Sequence, residues 1–409
     1  MKKIIEILKN NPAYLALLKG KGEIITSHAS DEAILIASAF FTSPRPILVV
    51  KENLYQAQLL YQELYPLLQN KVSFFACDES LRIEALASSQ EMTGERINAL
   101  ASLIYQENGV VICHTHSLIR QVPSPQLFIQ NTIELKVSQI IDPLKLREQL
   151  IHSGYQMIQR VDEPFYYSKR GGVIDVYSIQ YDNPIRIEFF DDEIESIRFF
   201  DKDTQKSLES VQSVNILPAT DLLYDINQVA DVIDKIIELK DQTDAKEFQD
   251  NLEEEISIDI ESLKGYGYSS RLYQYLNLFD STTSLLSYFN NPLIITTHKQ
   301  KLNQIFNQYV EETFFYNHEL ESIGKMVHGL TLFHNIQSLI KNVDIQFFDF
   351  RENEKQISFV TREIQLSLLN ETQLIQQIKD YVVKNKVLMC LDNSHQIQMM
   401  VDLLENNHI

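Results

Sequence analysis

The residues whose types and spacing could do chemistry fall at three places in this chain. Cys113-His114-Thr115-His116 would set two imidazoles on one face of a strand, as some zinc sites require. A third and fourth ligand would have to come from elsewhere, and no further Cys or His cluster offers them. The stretch therefore reads as the end of a sheet strand running into a loop. The first strand-to-helix turn, Ala29-Ser30-Asp31-Glu32-Ala33, is where a phosphate loop would sit. Such a loop needs glycines for close backbone approach, a lysine for the β/γ charge and a Ser/Thr for Mg²⁺. No Gly-Lys-Ser/Thr exists in the chain, and Asp31 and Glu32 would turn two carboxylates towards the phosphates. With Ser30 as N-cap and acids in the first turn, the stretch reads as a favourable helix start without ATP chemistry. The third place is Ile185–Phe190. A period of two puts Ile185, Ile187 and Phe189 on one side, and Arg186, Glu188 and Phe190 on the other. Two opposite charges beside a bare aromatic suit a protein-docking patch better than a core.

Other reactive arrangements are absent or incomplete. Val161-Asp162-Glu163-Pro164 contains the Asp-Glu of a motor's Mg²⁺ motif but lacks the preceding apolar strand, so it reads as a turn. No Gly-x-Ser-x-Gly is present, and no thiol has an identifiable His support. Asp191-Asp192, Glu193 and Glu195 read as solvated turn and strand residues.

Charge restricts the partners. With 36 basic against 56 acidic residues the formal net charge is −20. A nucleic-acid binder gains affinity from clustered Lys and Arg, so long-range attraction to DNA is not expected, and a local Arg patch is better suited to a protein. Three widely separated cysteines fit a reduced cytosol and no disulfide framework. Glu6 and Lys9 interrupt the apolar start, and no run reaches the ~18 uncharged apolar residues of a membrane span. A soluble cytoplasmic protein without membrane contact is expected.

These candidates need elements to position them. A chain of 409 residues exceeds what one core usually organises. Strands at Glu23–Thr26, Pro46–Val50, Val72–Ala76 and Gly109–Cys113 alternate with helices, which implies a parallel sheet covered on both faces. Composition changes near Pro123-Ser124-Pro125, and the following residues are rich in short strands and turns. The pattern becomes helical again from Asp221 to Phe289. The expected fold is α/β: a parallel-sheet domain (1–122), an inserted β-rich α+β domain (123–217), a return completing the first domain (218–315), and a small α/β third domain (316–409). Strands are expected there at Asp344–Phe350, Gln356–Val360 and Lys386–Leu391. Asn407-His408-Ile409 falls where this pattern calls for another strand, which points to a longer parent.

Arg170-Gly171-Gly172-Val173-Ile174-Asp175-Val176, residues 185–198 and Ile216-Leu217-Pro218-Ala219 together resemble the second domain of the bacterial transcription-repair coupling factors and of the excision-repair subunit UvrB. More weakly, the whole chain is similar to the amino-terminal, UvrB-like part of a coupling factor. The resemblance implies a degenerate RecA/helicase-like first domain in which Asp31, Glu32 and Ala33 stand where UvrB has its loop glycine, lysine and threonine. UvrB's aromatic hairpin falls on Asp78–Arg96, which contains no Phe, Tyr or Trp, so direct damage reading is not expected. The resemblance further implies that Arg170, Arg186, Glu188 and Phe190 contact UvrA. Gly171-Gly172 would supply a turn or bulge. The fragment would need no cofactor. ATP and Mg²⁺ would serve the parent's motor, RNA polymerase and DNA would be reached through other parts of the parent, and its remainder would mask the UvrA face. The rival expectation is a UvrB-type ATP-dependent protein that binds damaged DNA.

Overall fold

The computed structural model describes residues 1–78, 89–106, 108–265, 269–359, 361, 370–384, 387, 389 and 393–409. The strand expected at Lys386–Leu391 and most of the hairpin-equivalent stretch 78–96 lie outside these residues.

After two short helices, Lys2–Leu8 and Pro12–Lys19, come four strands, β1 (Gly22–Ile25), β2 (Ile47–Lys51), β3 (Val72–Phe75) and β4 (Val110–His114). Helices Ala29–Thr42, Leu54–Leu68 and Gln90–Tyr105 connect them. Alternation along β2 shows how the sheet is sandwiched. Ile47 and Val49 join the cluster under helices 29–42 and 54–68, while Leu48 and Val50 join the one containing Ile97 and Leu100. A strand buried on both faces has no room for polar alternation, which is why Ile-Leu-Val-Val reads as a continuous apolar run.

Two short strands follow, β5 (Val122–Pro123) and β6 (Ile133–Lys136), and then six that form a second sheet. These are β7 (Gln156–Met157), β8 (Tyr166–Arg170), β9 (Val173–Val176), β10 (Ile185–Phe190), β11 (Glu193–Phe200) and β12 (Ser207–Val211). They lie in chain order, antiparallel except for the β7–β8 pair. β13 (Ser213–Ile216) pairs with β6, and β14 (Thr282–Thr283) with β5. The α/β class, with a parallel sheet and a separate β-rich sheet, is the one read from the sequence.

The later part of the chain departs from that reading. β15 (Leu293–Thr296), β16 (Ile345–Phe348) and β17 (Ile357–Ser358) all enter the first sheet, giving the parallel order β17-β1-β16-β15-β2-β4-β3. A boundary at 315 would also cut the helix Lys299–Ser322. Two of the strands expected for a third domain at 316–409, those at Asp344–Phe350 and Gln356–Val360, therefore join the first sheet instead. Parallel neighbours need not be neighbours in sequence: Gly22 pairs with Ile345, so strand spacing alone does not reveal which sheet a late strand joins.

No helix among the described residues is long and apolar enough to cross a membrane.

Candidate protein-docking face

Two hairpins build the face. The β8–β9 turn carries Gly171 at φ +58°, a left-handed conformation that glycine adopts without strain. A Cβ on Gly172 would stand 3.1 Å from the Phe189 carbonyl oxygen, so the paired glycines let β10 pass close to the turn. Strand register then fixes the side-chain rows. Ser168, Asp175, Arg186 and Arg198 stand opposite one another across β8 to β11. Arg170, Val173, Glu188 and Ser196 form the next row. The pairing of β10 with β11 shifts between Glu188 and Phe189, which keeps both Ile194 and Ile197 buried. Phe190 ends β10, 70% exposed, while Ile185 and Ile187 are fully buried on the opposite side.

The register thus brings the four sequence-derived residues to one face, but their partners are not one another. Arg186 donates from Nε and Nη2 to Asp175 Oδ1 and Oδ2 at 2.7 and 2.8 Å, a two-pronged pair. Its guanidinium also lies 4.5 Å from the centre of the Phe200 ring. Phe200 is buried with Val161 and Tyr177 in a cluster apart from the main core. Glu188 accepts from both Nη atoms of Arg198, at 2.6 Å from Nη1, and from Ser196 Oγ at 2.8 Å. Arg170 donates to the Gln159 carbonyl. The hydrogen bonds that Arg186 donates to Asp175 raise the Arg186 pKa despite partial desolvation, and those from Arg198 lower that of Glu188. Both side chains stay ionised at neutral pH.

The face is therefore a preassembled array of two alternating ion pairs with an unsatisfied aromatic at its edge. Side-chain exposure of 22% for Arg186 and 30% for Glu188 leaves part of each charge open to a partner. Asp175, Arg198 and Phe200 escaped the sequence reading. Counting through the Gly-Gly turn places Asp175 opposite Ser168 on β8, whereas its pairing with Arg186 on β10 depends on the longer β9–β10 connection.

The other candidates have internal roles. The helix at 29–42 starts two residues earlier than expected, with His28 and not Ser30 at the N-cap. The reason is Asp31, whose carboxylate accepts the backbone N–H groups of Ser27 and His28 at 3.0 and 3.3 Å. Asp31 also accepts from Thr361 Oγ1 at 2.5 Å. Glu32 is buried and takes two hydrogen bonds of 2.9 Å from Lys51 Nζ at the end of β2. Ala33 is buried in the core. The two acids are thus turned inward, not towards an open phosphate site. His114 closes β4, its Nε2 3.0 Å from the Cys77 carbonyl, and burial pushes its pKa down to about 3. His116 lies in the following short helix Thr115–Leu118, so the two imidazoles do not share a strand face. No group of His, Cys, Asp and Glu among the described residues could hold a metal.

A buried charge cluster, also missed in the sequence, ties the segments on either side of the second sheet together. Asp221 Oδ2 accepts from Nε of both Arg96 and Arg120 at 2.8 Å, and Arg96 Nη1 donates to the Ala76 carbonyl at 3.0 Å. Burial pushes the Asp221 carboxyl up, but the charges of Arg120 and Arg96 outweigh it and hold it well below the usual carboxylate range.

Comparison with known proteins gives the face its context. Residues 133–222 match the UvrB interaction domain. The chain is 28% identical over 354 residues to the transcription-repair-coupling factor of Bacillus subtilis (strain 168), covering 83% of this chain and 30% of that protein. The factor of the same name from Escherichia coli (strain K12) is 29% identical over 187 residues, 46% of this chain and 16% of that protein. That of Staphylococcus aureus (strain NCTC 8325 / PS 47) is 23% identical over 398 residues, 93% and 34% respectively. The chain spans about a third of the length of the Bacillus subtilis and Staphylococcus aureus factors. The chain is thus similar at 133–222 to the UvrB interaction domain and, over most of its length, to transcription-repair-coupling factors.

Proposed function

We propose that this chain is a recruitment module without catalysis of its own, which binds UvrA and so links a stalled RNA polymerase to nucleotide excision repair. The observation that carries this reading is the Arg170, Arg186, Glu188, Phe190 face inside the segment that matches the UvrB interaction domain. Arginine held in a fixed orientation can present its remaining N–H groups to a partner carboxylate with little entropy left to lose. Phe190 adds an apolar anchor, since a bare ring gains affinity when a partner covers it. Burial of Asp31 and Glu32 at the phosphate-loop position supports a role without ATP. In this reading a longer parent supplies an ATP- and Mg²⁺-dependent DNA translocase and the contacts to RNA polymerase and DNA. Its remainder covers the same face until the motor engages.

Isothermal titration of purified UvrA into the chain tests the proposal. Saturable binding by the wild type, weakened at least ~10-fold by Arg186→Glu, is expected. Wild-type affinity in a folded Arg186→Glu variant would remove Arg186 from the contact, and no binding by the wild type would remove the function.

A further inference from the structure

A second surface shares no residue with that face. It is a groove of about 670 Å³ whose floor is β3, an outer strand of the seven-stranded sheet. β3 pairs with β4 along one side, and among the described residues no strand pairs with its other side. Helix Leu54–Leu68 forms one wall through Tyr61 and Tyr65, and helix Gln90–Tyr105 the other through Glu95 and Tyr105. Tyr65 and Tyr105 are more than half exposed, and Tyr61 stacks on Phe74 of the floor with ring centres 5.3 Å apart.

Two features of the groove are incomplete. An open strand edge presents unpaired N–H and C=O groups, which extended segments complete by adding a strand. Glu95 is half-buried and has no hydrogen-bond or ion-pair partner among the described residues, for its neighbour Arg96 is committed to Asp221. Burial first, and the nearby Glu91 second, lift the Glu95 carboxyl to about 7, with Arg96 pulling weakly the other way. A desolvated carboxylate flanked by tyrosine faces is complementary to a cation, which gains an ion pair and ring contacts together. The net charge of −20 disfavours a nucleic acid or a second copy of the chain as occupant.

We propose that this groove binds an extended basic segment of a partner protein, which adds to the free edge of β3 and sets a Lys or Arg side chain between Glu95 and the tyrosine rings. The proposal stands apart from the UvrA reading: failure of one leaves the other intact.

Fluorescence anisotropy with the 409-residue chain tests it. The probe is a labelled peptide of about eight residues that alternates valine and lysine. Saturable binding is expected. Replacing the lysines with glutamates, or placing two prolines at the centre, should weaken it at least ~10-fold, because the first reverses the charge and the second removes strand N–H donors. Glu95→Gln should weaken it about fivefold in a variant that is at least as stable to heat as the wild type. No saturation up to about 1 mM, equal binding of the acidic peptide, or undiminished binding by Glu95→Gln would each overturn the proposal.

Discussion

Replacing Asp221 with alanine should be among the most damaging single changes available in this chain. The carboxylate is buried and lies between two buried guanidiniums, with Nε–Oδ2 distances of 2.8 Å to each. At an effective dielectric of ~20, an opposite-charge pair with centres ~4 Å apart is worth ~4 kcal/mol, so two pairs give ~8 kcal/mol of gross attraction. Desolvation offsets much of this when the cluster forms. Once Asp221 is removed, Arg96 and Arg120 remain buried, facing each other with no anion between them. Breaking a buried pair in this way costs ~3–5 kcal/mol, and the doubled cation favours the upper end of that range. Urea unfolding followed by circular dichroism measures the loss as a fall in midpoint at constant slope. The pH dependence follows from the same cluster. A carboxyl held below its ordinary value contributes stability that is fully present above the unfolded pKa and is lost only as pH falls through the folded one. The difference between wild type and Asp221→Ala should therefore be constant from about pH 5 to 8 and shrink in acid. A loss under ~1 kcal/mol at neutral pH would refute the reasoning, since it would mean that water or relaxation compensates both arginines.

Three further outcomes are expected. Phe190→Ala should change unfolding stability by less than about 0.5 kcal/mol, since the ring is mostly exposed, yet weaken UvrA binding about tenfold in the same titration. Glu95 has its pKa raised above the 4.5 of an ordinary glutamate to about 7, so its ionisation opposes folding as pH rises through that window. Thermal unfolding should thus show Glu95→Gln gaining on the wild type between about pH 5 and 8, with Glu91, Arg96 and Tyr61 as the charged or titratable groups acting on it. Calorimetric titration with Mg-ATP should give no saturable heat, because the Glu32–Lys51 pair and buried Asp31 stand where phosphates would enter. A measurable affinity would revive an ATP-dependent reading.

What the sequence made legible was local. The period of two at 185–190 identified the buried and open sides of β10 before any strand pairing was known, and the open edge carries Phe190 as expected. Pairings that depend on register were not legible. Glu188 meets Arg198 across a strand pair whose register shifts one residue later, so counting straight from the turn misplaces the partner. The acids at 31 and 32 read as a missing lysine, but Glu32 is paired by Lys51 at the end of β2, and Asp31 is held by the backbone of Ser27 and His28 and by Thr361. Asp221 joins Arg96 and Arg120 across separations of 125 and 101 residues, and nothing in the local pattern marks either arginine as buried. The late strands β16 and β17 followed the expected alternation, yet their place between and beside much earlier strands is a property of the sheet as a whole.

The central claim, that the 170–190 face is what UvrA recognises, is tested most directly by exchanging the charges of one ion pair. The double variant Asp175→Arg, Arg186→Asp keeps the pair but moves each charge to the opposite strand, so the sheet retains its internal salt bridge while the pattern shown to a partner reverses. UvrA affinity measured by titration should fall at least ~10-fold with little change in melting temperature. Undiminished affinity in the folded double variant would contradict the account.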